Sequence, residues 1–194
     1  MKKIFWLAVL VLPLFFLSCS KNSIKSLIDP DDEVKGTDYS ATTQFVLVDM
    51  GTSVKWATMN LGSATSYDTG DYFNFGNLGG IYENYPSVKK AWRVPTKTEW
   101  EELYNACRSK WGDVKGTKGL FLTSTKTGNT IFFPAKGFQD PYGPIHVGER
   151  CCYWSTTPIS GGEYAYGTKF QQGALGMGSY HITMNALTVR LVSN

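Results

Sequence analysis

Histidine and cysteine are both scarce in this chain. His146 and His181 are the two histidines among 194 residues, too few and too far apart to suggest a metal site. Neither stands in an arrangement that would activate a cysteine, which argues against thiol catalysis. Clustered charge of one sign is missing as well. The whole chain carries +3, and without Lys2 and Lys3 its 19 basic side chains fall to 17 against 16 acidic ones. That near balance offers neither the basic face a nucleic acid requires nor a field that would steer strongly charged partners. No serine triad, phosphate-cradling glycine loop or glycosidase carboxylate pair can be picked out. Glu101 and Glu102 read as solvated positions on a helix. Internal repeats of the solenoid kind do not occur.

One long apolar run is present, Ile4 to Leu17, behind the positive pair Lys2 and Lys3. It is short for a membrane span and fits the hydrophobic region of a signal peptide. The run ends in Phe16-Leu17-Ser18-Cys19, where small Ser18 permits cleavage and the Cys19 thiol can accept lipid. Phe16 departs from the leucine usual at that place. Residues 1–18 are therefore expected to be a lipoprotein signal peptide and Cys19 the lipidation site, with the membrane as a partner through the lipid. Residues 19–42 are polar, with Asp29-Pro30-Asp31-Asp32-Glu33 at their centre, and read as a flexible tether. Residues 43–194 then make one domain of ordinary size.

Beyond Cys19 three cysteines remain, Cys107, Cys151 and Cys152. An odd number in an oxidising compartment means one disulfide and a free thiol, or three thiols. The preferred pairing is Cys107 with Cys151 or Cys152; a bond between the adjacent pair would be strained.

Strands dominate the domain. Phe45–Val48 and Val54–Ala57 flank a turn at Met50-Gly51-Thr52, and Gly119–Thr123 and Thr130–Phe133 flank Lys126-Thr127-Gly128-Asn129 in the manner of hairpins. Tyr153–Ser155, Tyr164–Phe170 and Leu187–Val192 complete a mostly antiparallel set. One helix is expected over residues 96–110. Thr96 and Glu99 form a capping box behind Pro95, and Trp100, Leu103, Tyr104, Cys107 and Trp111 recur at helical spacing as a core-facing stripe. The stretch 58–92 alternates glycine and aromatic residues and reads as loops held down by their own rings.

A candidate binding segment runs from Ile159 to Ala186 and holds Tyr164, Tyr166, Gln171, Gln172, Met177, Tyr180 and His181. Rings stack on the C–H faces of sugars while amides bond hydroxyls, and tyrosine serves protein epitopes equally well. Strand alternation competes with this reading, because it puts Tyr164, Tyr166, Thr168 and Phe170 on one face that could pack inward.

Several ordered blocks resemble one family. Val48-Asp49-Met50-Gly51-Thr52-Ser53-Val54-Lys55-Trp56-Ala57-Thr58-Met59-Asn60-Leu61-Gly62 looks like its opening motif, and Gly70-Asp71-Tyr72-Phe73-Asn74-Phe75-Gly76 like its second block. Trp92–Trp100, Phe133–Phe138, Tyr153–Pro158 and the closing Val189-Arg190-Leu191 follow in order. The set is similar to the Fibrobacter succinogenes major paralogous domain family, common in surface lipoproteins of gut Bacteroidetes, and covers about residues 45–192. The resemblance implies an α+β, C-type-lectin-like fold: a twisted, mostly antiparallel sheet, one main packing helix and long loops that present a binding face. It also implies an outer-membrane lipoprotein, with the extracellular face favoured over the periplasmic one. The expected function is a non-enzymatic binding module for a glycan or protein ligand, with a structural subunit of a surface assembly as the alternative.

Calcium-dependent sugar binding is not expected, since Gln139-Asp140-Pro141 has the wrong order for the lectin motif and Trp-Asn-Asp is missing. Trp92–Trp100 also resembles a string in formylglycine-generating enzymes, but Cys151 and Cys152 lack the spacing that would hold copper there. No metal, cofactor or catalytic residue is therefore assigned.

Overall fold

A computed structural model describes residues 36–194 apart from Ser87. The expected signal peptide, Cys19 and the expected tether up to residue 35 lie outside the described residues. The strands are β1 (Leu47–Asp49), β2 (Lys55–Asn60), β3 (Phe73–Asn74), β4 (Cys107–Val114), β5 (Thr117–Ser124), β6 (Thr130–Pro134), β7 (Phe138–Asp140), β8 (Gly143–Ile145), β9 (Arg150–Cys151), β10 (Trp154–Pro158), β11 (Tyr164–Thr168), β12 (Phe170–Gln171), β13 (Met177–His181), β14 (Ala186–Leu187) and β15 (Arg190–Ser193). The α-helices are α1 (Ile81–Asn84), preceded by a 3-10 turn over Phe75–Gly80, and α2 (Lys97–Ala106). Strands pair antiparallel in the orders β1-β2-β15, β4-β5-β6, β10-β11-β13, β3-β14-β7-β8 and β9-β12. The fold is thus a set of small antiparallel sheets with few helices, compatible with the α+β class.

The β1-β2-β15 sheet divides the interior into two cores. Side chains alternate across a strand, so Val48, Trp56 and Val192 enter one core while Ala57, Leu61, Val189 and Leu191 enter the other. This is why β2 is buried along nearly its whole length. Trp100 of α2 fills the first core and is fully buried. It lies 4.6 Å from Trp56 and within 6 Å of Phe133, Tyr153 and Phe170, ring centre to ring centre. Its indole N–H donates to Trp154 O at 3.1 Å. The second core gathers Phe73, Ile81, Trp154, Tyr180 and Leu187, and draws its loops from the 58–92 stretch.

The helix starts where expected and stops early. Thr96 caps the Glu99 N–H and the Glu99 carboxylate reaches back to the Thr96 N–H at 2.7 Å. Arg93 then grips Glu99 with two nitrogens, at 2.9 and 2.6 Å. At Cys107 the backbone turns extended, and residues 107–114 pair with β5 over eight positions instead of continuing the helix to 110. The spacing of four between Cys107 and Trp111 satisfies a helix and a strand equally, so periodicity could not separate them. Lys115 and Gly116 close the β4–β5 hairpin with φ of 50° and 89°, the two positive values of a type I′ turn.

The body also takes in residues read as tether. Thr130 N donates to Thr37 O and Tyr39 N to Thr130 O, a parallel bridge along the edge of β6. Ser40 is buried, and its carbonyl accepts from Ser66 Oγ at 2.8 Å. Short polar side chains here satisfy the body's loops, which composition alone presents as linker.

Cys107, Cys151 and Cys152 are three free thiols, the second of the two alternatives their odd count allows, and the preferred pairing of Cys107 with Cys151 or Cys152 does not form. Alternation keeps the adjacent pair apart, since Cys151 and Cys152 point into opposite cores. The Cys151 thiol donates to Phe133 O at 3.1 Å, and Cys152 Sγ accepts from Tyr180 Oη at 3.3 Å. Burial pushes the Cys107 thiol up to about 12.

Candidate functional site

Strands β11 and β13 form a hairpin whose register is Tyr164↔His181, Ala165↔Tyr180, Tyr166↔Ser179, Gly167↔Gly178 and Thr168↔Met177. Ala165 and Gly167 face inward, and a Cβ on Gly167 would stand 2.7 Å from Leu187 Cδ2 and 2.9 Å from Tyr153 O. The opposite face therefore carries Tyr164 and Tyr166 outward, and the competing reading in which this face packs inside does not hold for these two. Tyr164 is 43 % exposed and meets the His181 ring edge-on at 5.2 Å. Tyr166 is half-buried under the Lys97 ammonium, 5.0 Å from its ring centre. Thr168, the last residue of β11, and Phe170 of β12 are by contrast buried, so this face turns inward at the end of the strand.

Tyr180 belongs to the core rather than to the surface. It is 7 % exposed, and its hydroxyl contacts Thr168 O at 3.0 Å as well as Cys152 Sγ. Burial raises its pKa far above the ordinary value. It still contributes to the lining of a neighbouring pocket.

Gln171 and Gln172 stand at a tight turn. Gln171 N donates to Ala174 O at 2.9 Å and Ala174 N to Gln171 O at 3.1 Å, with Gly173 at φ 78°. The turn holds the Gln172 amide in solvent. Below it lies a cleft of about 280 Å³, walled by Ser109, Trp111, Leu120, Gln171, Gln172 and Leu175. Trp111, expected on the helix, is instead brought here by β4.

A second cleft of about 430 Å³ opens beside β13, among Phe138, Arg150, Lys169, Met177, Ser179 and Asn185. Arg150 Nε donates to Gln171 Oε1 at 3.1 Å, so this one contact stands between the two clefts. Six of the seven expected residues thus reach the surface, and they fall into three neighbouring groups: Tyr164, Tyr166 and His181; Gln171 and Gln172; and Met177. Trp111, Arg150, Lys169 and Asn185 were missed, since their approach depends on strand pairing rather than on spacing along the chain.

A more apolar hollow of about 590 Å³ lies elsewhere, between Phe45, Leu47, Leu61, Tyr85, Val88 and Trp92. Phe45 and Trp92 stack there at 5.1 Å. Among the described residues no group of three or more His, Cys, Asp or Glu side chains could hold a metal. No protein family, no curated protein and no solved structure matches this chain.

Proposed function

We propose that the protein is a membrane-anchored, non-enzymatic binding module that recognises a glycan through the surface between Tyr164 and Asn185. The observation that carries this reading is the cleft that Trp111 lines together with Gln171, Gln172 and Ser109. A ring wall with a few convergent polar groups is how small ligands are held. The exposed Tyr164–His181 pair extends that surface along the hairpin.

The wider assignment rests on the sequence blocks. They support membership of the Fibrobacter succinogenes major paralogous domain family and a C-type-lectin-like fold, with small antiparallel sheets and one main packing helix in keeping. They also support a lipoprotein anchored at Cys19 in the outer membrane and facing outward. Fold alone would not fix the activity.

The test is a glycan array probed with the full chain in detergent, with calcium and again with chelator. Dose-dependent binding that survives chelation and falls about tenfold in Tyr164→Ala or Gln172→Ala is expected, the effect of one lost contact of about 1.4 kcal/mol. Tyr180→Ala is unsuitable, because it would disturb the core. Blank arrays from folded protein would sink the glycan reading.

A second reading, a subunit of a surface assembly or a site for a protein ligand, draws on the open edge of β13. Ile182 N donates to Glu163 O, so by antiparallel alternation the main-chain groups of Ser179 and Met177 point away from β11. Such an edge can accept another chain. Concentration-dependent self-association in light scattering would favour it.

A further inference from the structure

The cleft beside β13 carries two cations and no acidic wall. Arg150 and Lys169 line it together with Ser179, Asn185, Phe138 and Met177. The nearest acid in sequence, Glu149, is engaged with His146 Nδ1 at 3.0 Å. Arg150 spends its Nε on Gln171, and among the described residues neither its terminal nitrogens nor the Lys169 ammonium pairs with a carboxylate. Asn185 uses its Oδ1 to accept from His181 N at 2.8 Å, which leaves its amide N–H groups as donors. The outward main chain of Ser179 adds a further N–H on the open strand edge. Both cations act on the same spot, since each draws down the Cys152 thiol, which burial nonetheless leaves raised to about 11.

From this convergence we infer that the β13 cleft is a site for the carboxylate or sulfate of an acidic saccharide. The inference rests on the glycan reading above and narrows its ligand class. Guanidinium and ammonium donors make charge-assisted bonds to such anions. Neutral donors from Asn185 and Ser179 suit the hydroxyls around them, and Phe138 adds an apolar stretch of wall. Protein-recognition patches centre on an apolar core. This cleft is instead mostly polar-walled, which favours a hydroxyl-rich ligand over an acidic peptide.

The test compares trigalacturonate with its methyl ester on the full chain by titration calorimetry, at low and high salt. The acid should bind at least about tenfold tighter than the ester, the size of one charge-assisted bond, and should weaken as salt screens it. Lys169→Gln should remove most of that preference and Lys169→Glu should reverse it. Lys169 is exposed, so both variants should keep the fold, which circular dichroism checks. Arg150→Gln should act in the same direction. Equal binding of acid and ester, or an acid preference untouched by Lys169→Glu, would overturn the inference while leaving the glycan reading in place. Failure of both sugars, alongside binding of neutral glycans on the array, would also overturn it. Tight binding of a polyglutamate peptide without any saccharide would overturn the saccharide assignment and the glycan reading together.

Discussion

Arg190 is fully buried, and among the described residues no carboxylate pairs with it. Its charge is spread over three oxygens instead: Nε reaches Asn60 Oδ1 at 2.9 Å, Nη1 reaches Ala57 O at 2.9 Å, and Nη2 reaches Phe132 O at 2.8 Å. The guanidinium also lies 4.5 Å over the Phe133 ring. A planar fork can span β2 and β6 in this way, whereas an ammonium is a single point that cannot. Arg190→Lys should therefore cost about 3 kcal/mol, because it leaves buried acceptors unpaired around a buried charge. Urea unfolding reads this directly, and a loss below about 1 kcal/mol would show that the fork is dispensable. Tyr180 and Tyr164 show the same dependence on surroundings: one residue type, in one strand pair, serves the core at one position and solvent at the other.

At the scale of elements, α2 depends on its first turn. Burial pushes the Glu99 carboxyl up, but bonds from Arg93 and Thr96 and the Arg93 charge outweigh it and hold the group below its ordinary 4.5. A depressed carboxyl stabilises the fold above its unfolded pKa and loses that contribution as pH falls through the folded value. The stability gap between the protein and Glu99→Gln should thus be complete at pH 7 and close in acid below pH 4.5. Urea midpoints across that range check it, and a gap unchanged by acid would refute the linkage. Thr96→Ala should cost about 1 kcal/mol by the loss of the cap. The capping box was legible because its spacing is local. The helix end was not, because extended pairing of β4 with β5 overrode a stripe that fits both periods.

For the whole molecule, two cores on either side of one sheet provide the stability that the absent disulfides do not. No helix among the described residues is long and apolar enough to cross a membrane. If lipid at Cys19 is the anchor, replacing that one atom should change where the protein resides. The full chain should partition into the detergent phase of a cloud-point separation, and Cys19→Ser freed of the apolar residues 1–18 should move to the aqueous phase. Retention of the variant in detergent would refute the anchor, since acyl chains supply the binding at about 0.8 kcal/mol per buried CH₂.

Local order was readable in the chain itself. Hairpin turns at residues 50–52 and 126–129, the helix start at Thr96 and the strand-rich class all follow from side-chain spacing and backbone preference, which act over a few residues. The segment holding six surface-reaching candidates could be found from its rings and amides. Tertiary structure alone decided which of those side chains face solvent, because burial depends on what another strand lays against each face. It turned Tyr180 inward, sent Cys151 and Cys152 into separate cores, and carried Trp111 from the expected helix to the Gln171–Gln172 turn. It also brought Arg150 and Lys169 to one cleft, a meeting made by long-range strand pairing.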